Sequence, residues 1–216
     1  MTVIAIDGPA ASGKSSVARG LAQQLGFCFI NTGAMYRAAT WQVLRSGTDP
    51  QSPAAVAASI AAAGIRTGFE EQHSFIEIDG FRPHEELRDE SVNRSVSAVS
   101  TVPAVRNRLV QEFRALARIS PSVVEGRDIG SVVFPDTPYK FYLDASPEER
   151  QRRRNAQGQL DEIATRDRLD SSRHTAPLTI ATDATVIDTT RLDLEEVIAA
   201  IRETLAAKGL SACQRA

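Results

Sequence analysis

The chain is poor in the residues that staple, anchor or tether a protein. It has 2 cysteines in 216 residues, Cys28 in an apolar run and Cys213 in the polar tail. That excludes a disulfide scaffold and fits two inert thiols in a reducing compartment. No apolar run approaches the ~20 residues of a spanning helix. The longest uncharged stretch, Pro50 to Ile65, is broken by two prolines and several polar residues. The opening residues carry no basic leader and reach a carboxylate at Asp7, so no export signal is expected and the cytoplasm is the expected compartment. Net charge is scarce as well. The balance of 25 Lys+Arg against 27 Asp+Glu gives −2, which argues against coating of nucleic acid or an anionic membrane. Lysine is scarcest among the cations: Lys14, Lys140 and Lys208 are the only three, so 22 of the 25 are arginines. The guanidinium fork matches phosphate oxygens two at a time, although an arginine-rich codon usage would give the same count.

What is present is the composition of one ordinary globular domain, 42% apolar and 24% charged. Val3-Ile4-Ala5-Ile6 reads as a buried strand and Ser15 to Leu25 as a helix with Val17, Leu21 and Leu25 on one face. Phe27 to Ile30 predicts a second strand, followed by the loop Asn31-Thr32-Gly33 and a helix from Ala34 to Arg45. This βαβ order predicts an α/β fold with a parallel sheet. Between 64 and 95 the pattern changes: Ser74 to Ile78 alternates and meets Asp79-Gly80, a hairpin turn pair, which predicts a small β insertion. A helix is expected from Pro103 to Ala117, strands at Val123-Val124 and Tyr139 to Leu143, and a helix opened by Ser146-Pro147-Glu148-Glu149. Thr185-Val186-Ile187 is the expected last strand, with a closing amphipathic helix from Leu194 to Leu205 capped by Gly209.

Gly8-Pro9-Ala10-Ala11-Ser12-Gly13-Lys14-Ser15 fits the phosphate-loop pattern and lies between a predicted strand and a predicted helix, the context that gives the pattern meaning. Glycines let backbone N–H groups surround phosphate oxygens, and the helix N-terminus adds positive potential. Lys14 is placed to reach the β/γ-phosphates, and the Ser15 hydroxyl to ligate Mg²⁺. The guanine-reading Asn/Thr-Lys-x-Asp pattern is absent, which favours ATP. Arg37 and Gly126-Arg127-Asp128 follow strands, and in a doubly wound sheet ligands lie at the carboxyl ends of strands. Arg150 to Arg173 holds seven arginines against Asp161, Glu162, Asp167 and Asp170. Such a run is a solvated helix face or, beside a phosphate loop, a lid over the transferring phosphate.

From Val3 to about Leu205 these residues resemble the bacterial-type cytidylate kinases of the nucleoside monophosphate kinase superfamily. Beside the phosphate loop, Gly8 to Ser16, the resemblance rests on Asn31 to Arg37, Glu125 to Pro135, Leu143 to Ser146 and Asp170 to Leu178. It implies a P-loop kinase fold: a doubly wound parallel five-stranded sheet with a core of 1–63, 96–150 and 174–209, a monophosphate-binding insertion at 64–95 and a short lid at 151–173. It also implies phosphorylation of CMP and dCMP by ATP with Mg²⁺, by a cytoplasmic monomer with no nucleic-acid or membrane partner. By the resemblance, Thr32, Arg37, Arg127 and Arg173 hold the acceptor phosphate, Arg166 and Asp170 lie near the ribose, and Ser97, Arg106 and Asp128 read cytosine. Lys14, Arg127, Arg173 and Arg154 are the expected catalytic cations, with Arg153 a further candidate for the donor phosphates. Cytosine presents an N4 donor beside N3 and O2 acceptors, which a carboxylate plus an arginine complements, whereas uracil would set acceptor against acceptor. The lid segment Asn155 to Thr165 looks short for the family, and Leu169 stands where some members carry arginine. Two alternatives stay open at this stage: a UMP or shikimate kinase of another branch, and a binding module for which ATP is a conformational ligand.

Overall fold

The structure, a computed structural model, describes residues 1–156 and 179–210. It divides into two compact units, one built from residues 1–29 and the chain from 120 onward, the other from residues 30–119.

In the first unit β1 (Val3–Asp7) is the wholly buried central strand, paired in parallel with β5 (Ser122–Gly126) on one side and β6 (Tyr139–Asp144) on the other. β7 (Thr185–Asp188) extends the series, parallel to β6. Burial on both faces is why β1 reads as an unbroken apolar run rather than an alternating one. The register sets Asp7 opposite both Gly126 and Tyr142, so the carboxyl ends of β1 and its neighbours lie level. Helices α1 (Lys14–Leu25) and α7 (Leu194–Ala207) are in contact, and α6 (Pro147–Ala156) starts as its Ser-Pro-Glu-Glu signal predicts, with Ser146 Oγ accepting from the Glu149 N–H at 3.2 Å. Val17, Leu21, Ile198 and Ile201 join Ile4, Ile6, Val123 and Phe141 in one apolar cluster. Burying each side chain of that size contributes ~1.5–3 kcal/mol. At Gly20 a Cβ would stand 2.7 Å from Ile198 Cδ1, so the missing side chain leaves room for the tip of Ile198 between α1 and α7.

The second unit holds α2 (Thr32–Arg45), α3 (Pro53–Ala62), the antiparallel strands β3 (Ile65–Glu70) and β4 (His73–Ile78), and helices α4 (Glu90–Thr101) and α5 (Pro103–Ile119). Asn31 Oδ1 caps α2 by accepting from the Ala34 N–H at 2.9 Å, and Ser52 caps α3. β2 (Cys28–Asn31) passes from the first unit to the second at residue 30 and runs straight into α2, without the loop expected at 31–33.

Among the described residues the strands number seven, not five. The five expected form the series β2-β5-β1-β6-β7, and the hairpin adds β3-β4 beside β2. The hairpin turn is also displaced from its predicted place. It lies at Glu71-Gln72, both in the left-handed region (φ 47° and 67°), and Asp79-Gly80 closes only a single bridge between Ile78 and Phe81. A two-residue turn of this kind usually advertises itself with Asn or Gly, and here it does not. Helices α3 and α4 are additions to the sequence reading. α4 is rich in serine and valine, poor helix formers, and is carried by the buried face Val92, Val96 and Val99.

Candidate nucleotide site

The loop from Gly8 to Ser16 leaves β1 and enters α1, and its conformation is set by close approach. A Cβ on Gly8 would lie 2.1 Å from the Leu143 carbonyl oxygen, so no side chain fits there. Ala11 and Gly13 take left-handed φ values of 60° and 88°. The loop's carbonyls are bonded to donors from distant parts of the chain. Gly8 O accepts from Arg127 Nη1 at 2.7 Å, Ala10 O from Arg150 Nη1 at 3.4 Å and Ser12 O from Thr189 Oγ1 at 3.0 Å. A trans peptide sets its N–H opposite its C=O, so the N–H groups of Ala11 and Gly13 face away from Arg150 and Thr189. Amides turned in that way make a phosphate nest. Lys14, buried, donates from Nζ to Pro9 O at 3.0 Å, and Ser15 Oγ donates to Glu125 Oε1 at 3.0 Å.

Beside the loop, within the same unit, is a cleft of about 670 Å³ lined by Ser12 and Gly13, by Glu149 and Arg153 of α6, and by Thr189 and Leu194 before and in α7. That volume suits a nucleoside. Arg153 is held firmly: Nη1 and Nη2 donate to Thr189 Oγ1 and O at 3.0 and 2.7 Å, and Nε donates to Glu149 Oε1 at 2.8 Å. Hydrogen bonds from Arg152, and then from Arg153, hold the Glu149 carboxyl down to about 2. Arg154 is buried on the same helix.

Asp128 is buried at the start of a wide helical turn, Ile129–Val133, in which the Phe134 N–H returns to Ile129 O at 2.7 Å. In the second unit, Arg37 Nη1 donates to Leu87 O at 3.2 Å and to Asn93 Oδ1 at 2.5 Å. Arg106 is buried with its guanidinium 5.9 Å from the Tyr36 ring centroid, Thr32 is buried in the first turn of α2, and Ser97 lies half-buried on α4. The structure thus brings the phosphate loop together with Arg127 and with the base of α6. Arg166, Asp170 and Arg173 lie outside the described residues, as does most of the segment read as a lid.

Comparison with known proteins decides the family. The cytidylate kinase family model matches residues 4–207. The chain belongs to the cytidylate kinase family. A cytidylate kinase of Mycobacterium leprae is 48% identical over 91% of this chain and 92% of its own length. One from Nocardia farcinica is 46% identical over 91% and 90%, and one from Pelotomaculum thermopropionicum 44% over 90% and 92%. Among solved structures, a sugar kinase from Janibacter aligns at 15% identity and a TM-score of 0.49, covering 98% of this chain and 96% of that one. As a member of the cytidylate kinase family the chain is a phosphate-transferring enzyme with a nucleotide-binding P-loop. No helix among the described residues is long and apolar enough to cross a membrane.

Several residues of this kinase's site carry no motif of their own in the sequence. Thr189 directly follows β7, and nothing in Asp188-Thr189-Thr190 announces that its hydroxyl will bond Ser12, 177 positions earlier. Glu125 was visible only as part of the Glu-Gly-Arg-Asp run, and its bond to Ser15 was not. A carboxylate at the end of the strand beside β1 is the signal that could have found it.

Proposed function

We propose that this kinase transfers the γ-phosphoryl group of ATP to CMP and dCMP, giving CDP and dCDP. The observation that carries the reading is the loop Gly8–Ser16, with its carbonyls tied outward by Arg127, Arg150 and Thr189. The family relationship supports the choice of acceptor. The cleft beside the loop takes the donor nucleoside, and amides of the loop together with Lys14 take its phosphates. The Ser15 hydroxyl and the Glu125 carboxylate, 3.0 Å apart, are hard oxygen donors that fit Mg²⁺, which supplies charge neutralisation on the phosphates when bound.

The acceptor phosphate oxygen is already ionised at neutral pH and attacks the γ-phosphorus in line, with no dedicated base. As that oxygen bonds to phosphorus, the bond to the β-phosphate oxygen breaks and ADP leaves. What the chain supplies is alignment and positive charge, from Lys14, Arg127, Arg154 and Arg173. Thr32, Arg37, Arg127 and Arg173 hold the acceptor phosphate, Arg166 and Asp170 the ribose, and Ser97, Arg106 and Asp128 the base. Residues 64–95 serve as the monophosphate-binding insertion, 151–173 as the lid, and 1–63, 96–150 and 174–209 as the core of a cytoplasmic monomer.

An acceptor panel tests this. ADP release from ATP is measured with CMP, dCMP, UMP, shikimate and no acceptor; the expected outcome is strong stimulation by CMP and dCMP alone. A UMP or shikimate preference would move the enzyme to another branch, and ATP binding without stimulation would make it a binding module. Asp128→Ala is expected to erase the preference for CMP over UMP.

A further inference from the structure

Asp7, the last residue of β1, is an aspartate in a place that suits one badly. It is 5% exposed, and burial, opposed by two backbone N–H groups, raises its carboxyl from 3.8 to about 6. Its two oxygens do one thing each. Oδ1 accepts the Ile129 N–H and Oδ2 the Gly130 N–H, both at 2.8 Å. These are the first two amides of the wide turn that begins at Asp128, so the carboxylate caps that turn from across the sheet, 122 and 123 residues away in sequence. The preceding residue is tied to the same place, because Arg127 donates to Gly8 O, the carbonyl next after Asp7. Arg127-Asp128 is thereby pinned on both sides to the end of β1. Gly130 leaves no slack: a Cβ there would meet Lys140 Cγ at 3.1 Å and Asp7 Oδ2 at 3.4 Å.

We infer that Asp7 is a positioning residue for acceptor recognition, its carboxylate fixing the Asp128 segment so that Asp128 discriminates cytosine from uracil. This rests on the reading of Asp128 given above. A carboxylate is needed because two N–H groups converge on it. An asparagine of the same shape would accept one and set its own N–H against the other. The charged groups around Asp7 are Lys14 at the start of α1, which favours its ionised form, Asp128 on the turn, which opposes it, Glu125 and Arg127 at the end of β5, and Lys140 on β6.

The test is the ratio of kcat/KM for CMP to that for UMP, from which the ionisation of the shared acceptor phosphate cancels. In Asp7→Asn at pH ~7.5 the ratio is expected to fall roughly tenfold, the loss of one hydrogen bond to a charged group, while the KM for ATP stays within about twofold. In the unaltered enzyme the same ratio declines severalfold between pH ~7.5 and ~5.5 as Asp7 gains its proton, and in Asp7→Asn it is flat. The second measurement stands even if the variant fails to fold. An unchanged ratio in Asp7→Asn, or a flat ratio in the unaltered enzyme, overturns the proposal when Asp128→Ala erases selectivity. If Asp128→Ala leaves selectivity intact, the base-reading role falls first and this proposal falls with it.

Discussion

Arginines around the phosphate loop reach main-chain carbonyls, whereas those on the β3–β4 hairpin are bonded to carboxylates. Near the loop, Arg127 and Arg150 donate to main-chain carbonyls, Gly8 O and Ala10 O, and Arg153 donates both to Thr189 O and to the Glu149 carboxylate. On the hairpin, Arg66 pairs with Glu77, and Arg82 with both Glu70 and Glu77, the two guanidiniums lying over the Phe75 ring at 5.6 and 3.7 Å. A carboxylate cancels the charge it orients. A carbonyl orients without cancelling. The carbonyl bonds fix cations against the phosphate loop and the carboxylate bonds make a solvated surface, so the count of arginines matters less than the identity of their acceptors.

The largest break in that comparison is expected from Lys14→Ala. Removing a point charge from developing phosphate charge should lower kcat by about 10²–10³ with little change in folding, as read by steady-state kinetics and thermal melting. Arg127→Ala is expected to follow, with kcat/KM for CMP down by about 10²-fold, since its guanidinium lies against the phosphate loop at Gly8 O. An equal loss from Arg66→Ala would erase the distinction between the two regions.

Acid sharpens the contrast because the two regions respond with opposite sign. Asp7 is raised from 3.8 to about 6, so its charge costs stability above pH 6, and the cost is relieved as pH falls toward 3.8. The unaltered protein should therefore gain about 2 kcal/mol relative to Asp7→Asn between pH ~7.5 and ~4.5, measured by denaturant unfolding. Glu77 is held below its ordinary value chiefly by the Arg66 hydrogen bond, so its contribution is present above 4.5 and is lost as pH falls through the lowered value. The smallest effect belongs to the exposed Arg66–Glu77 pair: Arg66→Ala should leave kinetics unchanged and move the melting temperature by no more than about 2 °C.

The same two regions differ in how far they could be read from the sequence. The phosphate loop was legible because strand, glycine turn and helix are contiguous, each with a local signal: an apolar run, Gly8 and Gly13, then Val17, Leu21 and Leu25. The closing helix was legible for the same reason, from its apolar stripe and the Gly209 stop, and the structure adds an Asp193-to-Glu196 capping box at its start. The hairpin was half legible. β4 alternates, but β3 carries Gly68, which no propensity favours in a strand and which is there because the Phe75 ring lies against it, 2.7 Å from where a Cβ would stand. Glu71-Gln72 turns without a turn residue. At the site, Lys14 and Ser15 were found by their own motif, whereas Asp7, Glu125 and Thr189 act through partners more than a hundred residues away and have no local signature.

That last separation bears on how the enzyme is made. The phosphate loop is synthesised well before its partners: the Ser12 carbonyl waits for a hydroxyl 177 positions downstream and the Gly8 carbonyl for a guanidinium 119 downstream. At ~5–20 residues per second, the interval before Thr189 exists is about 10–35 s. Through that time the nascent chain carries an unfinished loop, so nucleotide binding should arise late in translation, after β7 has docked against β6.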